Sequence, residues 1–250
     1  MPRTIEQQIH ATYKSLRVGA AVIAIVFPIL LYFGGKHAGF CLRDSMSAYY
    51  WANPTQNCPC VDQSGKCIAT TSAPNTDCNS PVQPVHLAGT MRNWFVGFLF
   101  AIGAILYINK GHSDSENIAL NIAGILAWGI ALFPMPWDCC KHLWTIHGIC
   151  AIGFFVAIAW VAVFCAPNTL VLIKDARVRA LYHRVYTGLA IVMVLSPLIA
   201  YIFNLIASLH SYTFFAEVFG IYAFAGYWIT KTIEMSGPDI EKKTIERIAH

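Results

Sequence analysis

The chain reads as an all-α protein: a polytopic membrane bundle of six transmembrane helices with a disulfide-bearing outer loop. Three observations predict this. Only 12% of its 250 residues are charged, 56% are hydrophobic, and the mean hydropathy is +0.53, whereas an average soluble domain carries about 25% charged residues. The apolar residues gather into runs near the ~20 residues that a helix needs to cross a ~30 Å hydrocarbon core. Lys and Arg fall mainly on alternate sides of those runs. This composition excludes disorder and argues against a soluble globule. Strands of alternating polarity are absent, which disfavours an outer-membrane barrel. No basic stripe with interleaved aromatics is present, so nucleic acid is not an expected partner.

In chain order the expected spans are Val18–Phe33, Trp94–Ile108, Asn117–Met135, Leu143–Ala166, Val185–Ile206 and Tyr212–Thr230. The first two are short and borrow Gly34–Gly35 and Gly89–Asn93; the fourth is long enough to span with tilt. Residues 1–17 form a cytoplasmic N-terminal segment, residues 18–230 the transmembrane domain with its outer loop 34–90, and residues 231–250 a cytoplasmic tail. Placing the N-terminus inside puts 12 Lys and Arg on the cytoplasmic side and 5 outside, as the positive-inside rule requires. Both termini are expected in the cytoplasm, in an inner or plasma membrane. The sequence after the first run is poor in cleavage-site character and Phe40 precedes Cys41, so this run is read as an uncleaved span rather than a signal peptide.

Nine cysteines are distributed unevenly. Cys41, Cys58, Cys60, Cys67 and Cys78 lie in the first outer loop, Cys139 and Cys140 in the second, and only Cys150 and Cys165 within a span. Their concentration on the outer side, in a loop rich in Pro, Asn, Ser and Thr, predicts disulfides formed in an oxidising compartment. Seven is odd, so at least one of these thiols stays free or pairs elsewhere. Zinc is the alternative, held by Cys58, Cys60, Cys67 and Cys78 or by a second set around Asp138, Cys139, Cys140 and His142, with His147 nearby. The Cys-x-Cys spacing is tighter than the usual C-x₂₋₄-C, and no cofactor is expected.

Ionisable groups inside spans are costly and normally face the bundle interior or a water-filled cavity. Glu217 is the clearest case, roughly 9 Å below the outer end of the sixth span at 1.5 Å per residue. Asp44, Ser45 and Ser47 follow the first span, Arg92 opens the second, and His147 lies just inside the fourth. The expected site is therefore on the outer half, built from Asp44, Ser47, Arg92, His147 and Glu217. His147 with Glu217 is the first candidate pair, suited to acid–base work or metal ligation. Arg92 with Asp44 is the second, suited to locking helix ends or meeting an anionic head group. Tyr49, Tyr50, Trp137 and Trp144 read as interfacial anchors, and the cytoplasmic Lys and Arg as orientation signals. Ala123, Ala127 and Ala131, and Ala216 with Gly220, recur at the spacing of close helix contacts. Pro28 and Pro197 are expected to bend their spans.

Phosphate-binding, zinc-protease and serine-elbow motifs are absent, and facing histidines for haem are not evident. Asp44–Tyr50, Met91–Gly103, Ala123–Pro134, Ile146-His147, Phe215-Ala-Glu217 and Ala223–Lys231 form an ordered series. This series resembles a bacterial family of uncharacterised six-helix membrane proteins, with Asn57–Ser80 as an insertion. In layout the chain is more distantly similar to the DRAM-type membrane proteins linked to lipid handling. A third comparison is with the membrane hydrolases that include alkaline ceramidases and adiponectin-type receptors. That resemblance would nominate Ser45 or Ser47, Asp44 or Asp138, and His142, His147 or His210 around zinc, but the span count and spacing differ. The expected function is binding of a lipid or small amphiphile in an outward-facing polar cavity, without catalysis. A metal-dependent membrane hydrolase and an assembly subunit of a larger membrane complex are the alternatives. Expected partners are membrane lipids, with a membrane-protein partner or a second copy of the chain beside them.

Overall fold

A computed structural model describes residues 5–37, 42–43, 45–51, 60–61, 67–68, 91–135, 145–205 and 210–236. Among these the long elements are all helical: α1 (Ile5–His37), α2 (Arg92–Ile108), α3 (Asp114–Leu132), α4 (Ile146–Trp160), α6 (Ala176–Leu205) and α7 (His210–Met235). The short α5 (Pro167–Leu170) follows α4. A 3-10 turn spans Ser47–Trp51. The two-residue strands β1 (Cys60–Val61) and β2 (Cys67–Ile68) pair antiparallel, Cys60 with Ile68 and Val61 with Cys67.

Four helical stretches are long and apolar enough to cross a membrane: Ala11–His37, Asp114–Leu132, Ile146–Leu170 and Ala176–Phe203. The apolar α2 is shorter. The helices close into a ring in which α1 packs on α2, α2 on α3, α3 on α4, α4 on α6, α6 on α7 and α7 back on α1.

On α3 the small side chains face inward and most of the large aliphatic ones outward: Ala123, Ala127 and Ala131 are buried while Ile118, Ile122, Ile125 and Leu132 are exposed. On α1, Ala20, Ala24, Phe27 and Leu31 face inward and Val18, Val22, Ile25 and Ile29 outward. Large aliphatic groups on the periphery suit a hydrocarbon surround, which supplies no hydrophobic drive between helices and leaves close backbone packing to hold them. The crossing of α2 and α3 shows how close. A Cβ on Gly103 would stand 2.8 Å from the Gly124 carbonyl oxygen, and one on Gly124 2.7 Å from that of Gly103.

Local signals explain where helices begin and change register. Ser113 caps α3 by accepting from the Glu116 N–H, and Thr145 caps α4 by accepting from the Gly148 N–H at 3.0 Å; capping oxygens of this kind satisfy donors that the first turn leaves free. Pro28 and Pro197 both lie inside continuous helices. Pro197 has no N–H for the Met193 carbonyl, and the Ser196 hydroxyl stands 3.5 Å from that carbonyl. After Trp160 the chain loosens into a π-turn, Val161–Cys165, closed by the Ala166 N–H donating to the Val161 carbonyl, and Pro167 then opens α5.

Candidate functional site

Residues Ser45–Tyr50 turn back over one end of the helix ring. Ser45, Met46, Ser47, Ala48, Tyr49 and Tyr50 are all buried. Gly35 makes the turn-back possible: a Cβ there would meet the Tyr49 ring at 2.6 Å. Tyr49 also packs on Phe214 of α7 and Tyr50 on Phe95 of α2. Both tyrosines were expected as interfacial anchors. Instead they wedge the segment into the core, because a glycine at the end of α1 leaves room for a ring.

Two hydroxyls on this segment reach different helices. The Ser45 hydroxyl lies 2.8 and 3.0 Å from the two carboxylate oxygens of Glu217, and the Met46 N–H donates to Oε2 at 2.6 Å. The Ser47 N–H turns back to the Ser45 Oγ at 3.1 Å. Ser47 Oγ lies 2.7 Å from His147 Nε2. His147 Nδ1 faces two carbonyl oxygens, Phe133 at 2.9 Å and Ile130 at 3.2 Å. Both are acceptors only, so Nδ1 carries the proton; in the neutral ring Nε2 is then the acceptor and the Ser47 hydroxyl donates. The dyad is buried, with Ser47 8% and His147 6% exposed.

His147 and Glu217 thus belong to one polar cluster, with the chain's own Ser45–Ser47 filling the space between them. The hollow is to the side. A pocket of about 500 Å³ is lined by Tyr50, Arg92, Asn93, Val96, Gly97, Phe100, Ala131 and Leu132. The Arg92 guanidinium sits 4.7 Å from the Tyr50 ring centroid, a cation–π contact. Of the five expected site residues, Ser47, His147 and Glu217 converge on the cluster, while Arg92 lines the adjoining pocket. Asp44 lies outside the described residues, as do Asp138, His142, Cys41, Cys58, Cys78, Cys139, Cys140, Trp137 and Trp144. Cys60 and Cys67 are described in backbone only. Among the described residues Cys150 and Cys165 are free thiols, and no group of three or more His, Cys, Asp and Glu side chains could hold a metal ion.

A second cluster occupies the opposite end of α7, and no expected site residue belongs to it. Glu234 accepts from Tyr186 and Thr169. Lys231 lies 3.3 Å from Glu234 Oε2 and donates to Thr169 Oγ1 at 2.5 Å. Lys231 Nζ is 5.8 Å from the Tyr186 ring centroid. Lys231, Glu234, Thr169 and Tyr186 are each at most 5% exposed, and Arg17 and Glu116 are buried as well. Orientation signalling does not account for a buried Lys231. The helix α7 runs five residues past the expected span end at Thr230 and takes this ion pair inward with it. The available signal was the Lys231/Glu234 spacing of three, which places both on one helix face.

Comparison of the chain with protein-family models, with curated proteins and with solved structures returns no match.

Proposed function

We propose that the protein is a six-span membrane protein that binds an anionic lipid in the pocket beside Tyr50. The observation that carries this reading is the pocket's division. Arg92, Asn93 and Tyr50 offer a cation and hydrogen-bonding groups at one side, and Val96, Gly97, Phe100 and Leu132 offer an apolar wall. Phe100 and Leu132 are exposed on the periphery of the ring, so the pocket opens where acyl chains would lie. The planar guanidinium suits phosphate.

In this reading α2 and α7 span the membrane with the four long apolar stretches. Both termini are cytoplasmic, the Glu217 end faces outward, and the outer loop that follows α1 carries the disulfides. The test is native mass spectrometry of the detergent-purified protein with phosphatidylglycerol and phosphatidylcholine. Phosphatidylglycerol should bind about tenfold more tightly, with the preference lost in Arg92→Ala. Equal binding of the two lipids by the wild type defeats the proposal.

A further inference from the structure

We infer that Ser47 and His147 form a nucleophilic dyad, acting on an acyl ester of the anionic lipid held in the Arg92 pocket. The substrate class rests on the lipid-binding reading above; the nucleophile rests on separate geometry. Three observations support it. Ser47 Oγ stands 2.7 Å from His147 Nε2, within the reach expected of a nucleophile and its base. The Phe133 and Ile130 carbonyls hold the Nδ1 proton, so Nε2 is turned toward the hydroxyl and the ring is fixed in place. They occupy the orienting position that a carboxylate fills in a Ser-His-Asp triad.

The third observation is position. In a 3-10 helix residues three apart eclipse one another, so Ser47 lies on the same side of its turn as Tyr50, which lines the pocket. The lining also includes Ala131 and Leu132, the residues between the two carbonyls that orient His147. The dyad thus adjoins the pocket through the Ser47–Trp51 turn and the end of α3, although His147 itself comes from α4 and neither dyad residue lines the pocket.

The chemistry balances with water as co-reactant. Ser47 Oγ bonds to the ester carbonyl carbon while its proton passes to His147 Nε2. The carbon–oxygen bond to the lipid alcohol then breaks, and that alcohol takes the proton from Nε2. Water attacks the acyl-serine, giving one proton to Nε2 and releasing the fatty acid, and the proton returns to Ser47. Glu217, engaged by Ser45 and Met46, positions the segment and touches no reacting atom.

A fluorophosphonate probe applied to the folded protein in phosphatidylglycerol nanodiscs tests this, read by intact mass and peptide mapping. One adduct is expected per chain, at Ser47. It should be absent from Ser47→Ala and form at least about 100-fold more slowly in His147→Gln, the size of general-base assistance. Free fatty acid should appear in wild-type nanodiscs and not in Ser47→Ala. The wild-type adduct decides the question even where a variant fails to fold. Ser47 left unmodified in a monodisperse protein that still prefers phosphatidylglycerol overturns the dyad alone. Ser47 modified in a protein that distinguishes no head group overturns the lipid reading and supports the nucleophile.

Discussion

The two polar clusters of α7 are built on opposite plans. Glu217 and Lys231 are 14 residues apart on one helix, about 21 Å at ~1.5 Å per residue. Around Glu234 the partners come from helices: Lys231 on the same face, Tyr186 from α6 and Thr169 from α5, with charge meeting charge. Around Glu217 the partners are the Ser45 hydroxyl and the Met46 N–H, both from a non-helical segment, and no Lys or Arg contact to this carboxylate is seen among the described residues. The Glu234 cluster joins helices to each other. The Glu217 cluster joins the helix ring to a chain segment laid over it, and the same segment presents Ser47 to His147. A pin between rigid helices suits structure, whereas a hydrogen-bonded segment beside a pocket suits binding and chemistry.

The contrast can be broken at either end. The largest effect should come from Glu234→Ala, which strands a buried Lys231 and costs about 3–5 kcal/mol, as removal of one member of a buried ion pair does. Thermal unfolding in nanodiscs should show it as loss of the folded protein or a severe drop in midpoint. The double variant Lys231→Met with Glu234→Leu should recover much of that loss, since neither charge is left alone. A double variant as unstable as the single one would mean that the hydroxyl partners, rather than the ion pair, hold this end.

Glu217→Ala should cost less, about 1–3 kcal/mol, for the Ser45 and Met46 donors it leaves unsatisfied. It should also raise hydrogen exchange at residues 45–50 and leave the Glu234 end protected. Glu217→Gln keeps one carbonyl acceptor and should fall between wild type and alanine. Exchange that rises equally at both ends would show that the clusters are not independent. Tyr186→Phe removes one of the donors to Glu234 and should lower stability by about 1 kcal/mol. Arg92→Ala should have the smallest effect on unfolding, within about 0.5 kcal/mol as for most peripheral changes, while removing the lipid preference.

Much of the architecture was legible along the chain, because burial in a membrane is a matter of composition over ~20 residues. The small-residue row of α3 and the lone carboxylate in Phe214–Gly220 both announce themselves locally. The two ends of the molecule differ in how far such signals go. Ser45, Ser47 and Glu217 attract notice because polar groups next to apolar runs are unusual. Lys231 and Glu234 do not, because a basic residue after a span has a sufficient explanation in orientation.

Composition and periodicity thus determined by themselves that the chain folds into apolar helices and that polar groups collect near the Glu217 end. Both follow from transfer of side chains between water and hydrocarbon, an energy set by local sequence. Only tertiary structure decided which polar groups meet. Ser45 and Glu217 are 172 positions apart, and Ser47 and His147 are 100 apart. Their contact depends on the closed helix ring, on the room Gly35 leaves for Tyr49, and on a segment folding back into the bundle. Those depend on shape and packing, which no stretch of the sequence carries alone.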